Sequence, residues 1–167
     1  DLFLSFNFST NLVGSTLDNA NGKISIEDIS IRNKSKHIFV DRIGIYSDFN
    51  DTLRVLDIHS DVIKGKIKGN YSLVTIGNSL NRFLSKYLPA INSGKKENKT
   101  FGDNSFVFSF SKFNVNPLAE VLELPLFIDD NSIISGFYDD TYDKFRLEVD
   151  VPFLKLENTK LTDIHII

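Results

Sequence analysis

Ile24-Ser25-Ile26-Glu27-Asp28-Ile29-Ser30-Ile31 is followed by Ile38-Phe39-Val40-Asp41-Arg42-Ile43-Gly44-Ile45, and Leu161-Thr162-Asp163-Ile164-His165-Ile166 repeats half of the same phrase near the end of the chain. Each copy alternates apolar and polar residues, inserts two polar residues, and resumes the alternation one position out of phase. Alternation marks a strand with one buried face. An extra residue in mid-strand sends the buried set to the other parity unless a bulge or bend absorbs it. The phrase therefore reads as a kinked strand used more than once. It predicts a sheet that grows by adding similar units and presents a long surface. The copies at Ile24 and Ile38 are expected to be adjacent antiparallel strands joined by the polar turn Asn33 to Lys36.

Composition narrows the class. The chain has 167 residues, enough for one domain with a real core. Fifteen Phe, with many Ile, Leu and Val in period-2 runs, favour strands by propensity as well as by pattern. The net charge is −3, and the basic residues are scattered apart from the stretch Lys95-Lys96-Glu97-Asn98-Lys99, which argues against a nucleic-acid partner. The absence of Cys excludes disulfides, zinc thiolates and cysteine nucleophiles. No apolar run approaches the roughly 18 to 20 residues of a membrane-spanning helix. The chain opens directly in a strand pattern, contains no Met and stops at Ile166-Ile167 inside a repeat. A fragment excised from a longer protein, residues 1–167 forming a single β-rich domain, is the expectation.

Working outward from the repeat, a first strand runs from Leu2 to about Phe8. Asp18 to Gly22 supplies a turn before the first full copy. Leu53 to Ser60 alternates with Leu56 and Ile58 on one face, and Val62 to Tyr71 carries Gly65 and Gly69, which predict a bend or a close backbone approach. The period then changes. Ile76, Leu80, Phe83, Leu84, Tyr87 and Leu88 recur at helical spacing, with Thr75 as N-cap and Pro89 as the stop, so one amphipathic helix is expected as a lid over a sheet edge or end. Residues 92–104 are polar and aperiodic, the pattern of a mobile loop. Phe106, Phe108 and Phe110 alternate in a strand, Leu118 to Leu122 forms a short helix, and Ser132 to Tyr138 forms another strand. After the acidic turn Asp139 to Asp143, Phe145, Leu147, Val149 and Val151 alternate until Pro152 ends the run. The fold class is mainly β: a curved, folded-over antiparallel sheet, trough-like, of about nine or ten strands with one amphipathic and one short helix.

Few residues carry chemistry. His37, His59 and His165 each stand inside a strand pattern with no second ligand at metal spacing, and they read as surface or edge residues. No nucleophile elbow, phosphate-binding loop or paired-His helix occurs. Asp129, Asp130, Asp139, Asp140 and Asp143 have the oxygen chemistry for Ca²⁺, but lack the regular spacing and turn glycine of a Ca²⁺ loop, and read as solvated turns. Sequons at Asn7, Asn33, Asn50, Asn70 and Asn98 are expected by chance in so Asn- and Ser-rich a chain. No catalytic residue, metal or cofactor is assigned. The remaining feature is apolar surface, which either fills a closed core or lines an elongated groove.

The run Leu56-Asp57-Ile58-His59-Ser60-Asp61-Val62-Ile63-Lys64-Gly65-Lys66-Ile67-Lys68-Gly69-Asn70-Tyr71-Ser72-Leu73, leading into Ile76 to Leu88 and Tyr87-Leu88-Pro89, resembles a segment of the TamB family as found in Bacteroidota. The repeats at Ile24, Ile38 and Leu161 and the ending Val149-Asp150-Val151-Pro152 are similar to strands of that family. The resemblance implies a periplasmic segment of an inner-membrane-anchored protein that reaches toward an outer-membrane partner of the Omp85 class. Its folded-over sheet would conduct phospholipid acyl chains, assist outer-membrane protein assembly, or both. The helix at 76–88 and the loop at 92–104 interrupt such a ladder. A groove of this kind works because each buried CH₂ is worth roughly 0.8 kcal/mol while head groups stay in water. Phe106, Phe108, Phe110, Phe145, Leu147, Val149 and Val151 are the candidate lining. The alternatives are an envelope interaction module that pairs an exposed strand with a partner, and a secreted carbohydrate- or Ca²⁺-binding β-domain.

Overall fold

In the computed structural model, which describes residues 2–79 and 103–166, the two full copies of the repeat lie side by side. Strand β2 (Asn21–Arg32) pairs antiparallel with β3 (His37–Asn50), Ile24 opposite Ile45, Ile26 opposite Ile43, Ile29 opposite Val40 and Ile31 opposite Ile38. Both strands leave one residue of the insert unpaired, Asp28 on β2 and Asp41 on β3. Asp28 takes a left-handed φ of 53°, a conformation that Asp tolerates better than most side chains. The β2–β3 register is unchanged across this gap, while the β1–β2 register shifts beside it, between Ser5 and Asn7, as at a bulge, and Ile26, Ile29 and Ile31 pack on one face. The connecting turn is held by the Asn33 side chain, whose Oδ1 accepts from the backbone N–H groups of Ser35 (2.9 Å) and Lys36 (2.7 Å).

The other strands extend this pair in both directions. Strand β1 (Phe3–Val13) adds to the outer side of β2. Beyond β3 come β4 (Leu53–Ser60), β5 (Lys64–Asn70) and β6 (Ser105–Ser111), then β8 (Ile133–Asp139), β9 (Lys144–Leu156) and β10 (Thr159–Ile166). Every pairing is antiparallel, and the sheet of ten strands is open, with β1 at one edge and β10 at the other. The three-residue β7 (Leu126–Ile128) pairs with the far half of β9, so that β7 and β8 occupy the same side of that strand in succession. A short helix α1 (Asn116–Val121) precedes β7, and a single 3-10 turn spans Leu17–Asn19.

Several boundaries differ from the sequence reading. Strand β1 runs on to Val13 because Thr10 to Val13 pair with Asn21 to Ile24, so backbone pairing continues past the last Phe. Pro152 lies inside β9 and does not end it. It falls in the gap between Val151 paired with Ile164 and Phe153 paired with Thr162, opposite Asp163 at φ 52°. A residue without an N–H is tolerated where the ladder is already broken. Helix α1 starts at Asn116, two residues early, because Pro117 fits the first turn of a helix, where its missing N–H is not needed. Of the predicted amphipathic helix, residues 76–79 are described and helical, while its remainder and residues 92–102 of the predicted loop lie outside the described residues. Thr75 stands at the helix start, but its hydroxyl accepts from Asn104 Nδ2 (3.2 Å), and Ser72 Oγ receives the Val74 and Thr75 N–H groups instead. Asn104, the last residue of the predicted loop, is buried: its Oδ1 accepts from Ser72 N–H at 2.8 Å and its carbonyl from Asp140 N–H at 2.8 Å.

The apolar face is packed at both ends. At one end, Ile29, Val40 and Val62 are buried, with Ile26, Ile31, Ile43, the α1 N-cap Val115 and the α1 residue Leu118 against them. At the other, Tyr71, Phe106 and Tyr138 are buried beneath Leu73 and Ile76. Burying such side chains is worth about 1.5–3 kcal/mol each, which places much of the stability at these two caps.

Candidate functional site: the apolar face of the sheet

Register aligns the apolar residues of successive strands into rows that cross the sheet. One row reads Ile45, Ile58, Gly65, Phe110, Ile134 and Val149, from β3 to β9. The next reads Ser47, Leu56, Ile67, Phe108, Gly136 and Leu147, and a third Phe49, Arg54, Gly69, Phe106, Tyr138 and Phe145. The seven residues singled out from the sequence therefore share one face. Phe106 and Val151 are buried, Phe106 within the aromatic end cluster; Phe108, Phe110, Phe145, Leu147 and Val149 are half-buried. The face is much broader than those seven. It includes Ile24, Ile26, Ile45, Leu56, Ile58, Ile67 and Ile134, all half-buried, and it ends on β1 with Leu4, Phe6 and Phe8, which are 59%, 50% and 58% exposed. Period-2 alternation alone marks every one of these residues. The Phe-rich strands are only the most aromatic part of that pattern.

The rings of β6 fill the central floor. Phe106, Phe108 and Phe110 follow one another with centroids 6.2 Å apart, and Phe108 stacks on Phe145 at 6.4 Å. Such spacings are favourable for tilted and offset rings. Glycines on both neighbouring strands make room for them. A Cβ at Gly65 would stand 2.5 Å from the Phe110 ring, and one at Gly136 would stand 2.9 Å from Phe108 and 2.1 Å from the Arg146 carbonyl oxygen. The close approach predicted at Gly65 is thus a ring lying across a bare strand.

The aromatic end carries the polar chemistry of this face. Arg54 is 1% exposed. Its Nη1 donates to the Leu17 carbonyl at 3.1 Å and its Nη2 to the Asp18 carbonyl, while the guanidinium lies 5.1 Å from the Phe49 ring centroid and 5.7 Å from that of Tyr71. The Asp18 carboxylate pins the same 3-10 turn to the chain after β5, accepting from Leu73 N–H (2.6 Å) and Ser72 Oγ–H (2.7 Å). Tyr71 is 5% exposed, and burial pushes its phenol up from 10.0 to about 12, an effect the nearby Arg54 charge opposes. Arg54 Nε and Tyr71 Oη are buried without a hydrogen-bond partner. The alternation Arg54, Leu56, Ile58 already placed an arginine on the apolar parity of β4; its burial was not legible, because the turn that covers it comes from Leu17 and Asp18.

The outward surfaces offer less. Ser30 Oγ and His37 Nε2 are 2.7 Å apart across β2 and β3, beside an open hollow of about 360 Å³ also lined by Phe3 and Arg32. The pair is exposed, and no carboxylate among the described residues bonds the far ring nitrogen, so these residues lack the orienting third group of a nucleophile–base system. The five aspartates are split between the two ends of β8. Asp129 accepts from Asn131 N–H in one turn, while Asp139 accepts from Tyr142 N–H and Asp140 from Ser79 Oγ–H in the other. Among the described residues no group of three or more His, Asp or Glu side chains is placed to hold a metal ion. No helix among the described residues is long and apolar enough to cross a membrane.

Compared with protein families, curated proteins and solved structures, the chain matches none.

Proposed function

We propose that this chain is a non-enzymatic periplasmic segment of a TamB-like protein, whose apolar sheet face holds phospholipid acyl chains in transit between the inner and outer membranes, with an outer-membrane protein of the Omp85 class as the partner toward which it leads. The observation that carries this reading is the continuity of the apolar rows. Strands from β1 to β10 contribute apolar residues to one face, and its middle band is half-buried while both ends are packed. A face of this kind gives methylenes an apolar contact along its whole length, each worth roughly 0.8 kcal/mol when buried. Phe108, Phe110, Leu147 and Val149 lie in that middle band and are assigned the acyl contact.

Purified from a bacterial envelope, the protein should retain phospholipid that organic extraction and mass spectrometry recover near one molecule per chain. Lipid-free protein that takes up no phospholipid from vesicles would sink the proposal. A second reading, strand pairing with a partner or a nascent outer-membrane strand, is favoured by one feature: every residue of the edge strand β1 is exposed. Under that reading the β1 amides gain hydrogen-exchange protection when an unfolded outer-membrane protein is added, with no lipid present.

A further inference from the structure

The aromatic end of the sheet face carries a buried cation whose hydrogen bonds, among the described residues, reach no carboxylate. Among the described residues Arg54 makes no ion pair, and its acceptors there are two backbone carbonyls, which bring partial charge only. Isolated buried charges are costly, and those that persist are ordinarily paired or bind an ion. Two donors stand unused beside that charge, Arg54 Nε–H and Tyr71 Oη–H, each on a side chain more than nine-tenths buried. Unsatisfied buried donors of this kind call for an acceptor, whether a water or a ligand oxygen. The position is specific. Arg54 belongs to the same face as Leu56 and Ile58, one row from the half-buried band, so an acyl chain lying on that band would bring its head group to this end of the sheet.

We propose that Arg54 and Tyr71 form a binding site for the oxyanion head group of an amphiphile, a carboxylate or phosphate that accepts from Arg54 Nε–H and Tyr71 Oη–H while its chain lies along Leu56, Ile58 and Phe108. The inference deepens the acyl-chain reading and rests on it. Charge-assisted hydrogen bonds are stronger than neutral ones, so the site discriminates by head-group charge and not by chain length. The 3-10 turn Leu17–Asn19 covers the guanidinium and is fastened by Asp18, and it must yield when the head group enters.

The test compares oleate, oleyl alcohol and inorganic phosphate, titrated calorimetrically at pH 8 against the whole chain and its Y71F and R54M variants. Y71F deletes a hydroxyl that already lacks a partner, so it should fold even if R54M does not. The expected result is oleate binding about tenfold or more tighter than oleyl alcohol, a preference that drops several-fold in Y71F and vanishes in R54M. Equal binding of oleate and oleyl alcohol, or a preference untouched by Y71F, overturns the head-group site and leaves the acyl face standing. Binding of neither amphiphile overturns the acyl-face reading together with this one. Phosphate binding that depends on Tyr71, without either amphiphile, assigns the site to a free anion and overturns the lipid source.

Discussion

At the scale of single residues, the inner face shows how the same side-chain type takes its energetics from its neighbours. Tyr138 and Tyr71 are both buried, but Tyr138 Oη donates to Asp140 Oδ1 at 3.0 Å whereas Tyr71 Oη has no partner. The desolvated phenol of Tyr71 holds its proton to about 12, above the ordinary 10.0. Between those pH values the folded state binds more protons than the unfolded state, so stability falls as pH rises through the window. Below pH 10 both states are protonated and the residue contributes no pH dependence. Urea denaturation of wild type and Tyr71→Phe at pH 9 and pH 11.5 should therefore give a steeper alkaline loss for the wild type. Equal losses in the two proteins would mean that Tyr71 titrates normally. An arginine on an apolar parity was readable from the order Arg54, Leu56, Ile58. The 3-10 turn that buries it lies thirty-seven residues upstream for one carbonyl and thirty-six for the other, and nothing local announces it.

At the scale of elements, the repeat phrase acts through gaps in the ladder. Asp28 and Asp163 take nearly the same left-handed φ, 53° and 52°, and each sits where the facing strand also leaves a residue unpaired. The out-of-phase alternation in the sequence therefore marks a gap in the ladder, with a register shift beside it only between β1 and β2. What it did not reveal is that Pro152 occupies the matching gap in β9, since proline normally reads as a strand end. The glycines of the central strands allow a direct comparison. Gly136→Ala sets a methyl against the backbone oxygen of Arg146, which cannot move without parting β8 from β9. Gly65→Ala meets only the Phe110 ring, which can rotate. The expected losses are about 2–3 kcal/mol for Gly136→Ala and about 1 kcal/mol for Gly65→Ala, read from denaturation midpoints. Equal effects would show that the backbone contact at Gly136 is relieved elsewhere.

At the scale of the whole molecule, two packed ends enclose a half-buried middle, and one edge strand leaves its large apolar residues in the open. Contiguous exposed apolar patches ordinarily mark an interaction surface. If the β1 residues serve a ligand and not the core, removing them costs little stability. The double variant Phe6→Ser, Phe8→Ser should shift the melting temperature by no more than about 2–4 °C, corresponding to roughly 1 kcal/mol, while lowering the phospholipid recovered with the protein by about half. A melting temperature that collapses would instead place these side chains in the core. The strand-pairing reading makes the opposite use of the same edge, where unpaired N–H and C=O groups await a partner strand.

By itself the sequence determined which residues face inward, because period-2 alternation and its out-of-phase inserts depend only on the geometry of an extended chain. It also determined that neighbouring copies of the repeat would pair, since the turn at Asn33 to Lys36 is too short for another route. Only the tertiary structure decided where the strands end, how their apolar residues align into rows, and which polar groups close the ends. Register and burial are properties of partners, and Leu17 above Arg54 and α1 beneath Ile29 and Val40 both come from segments distant in the chain.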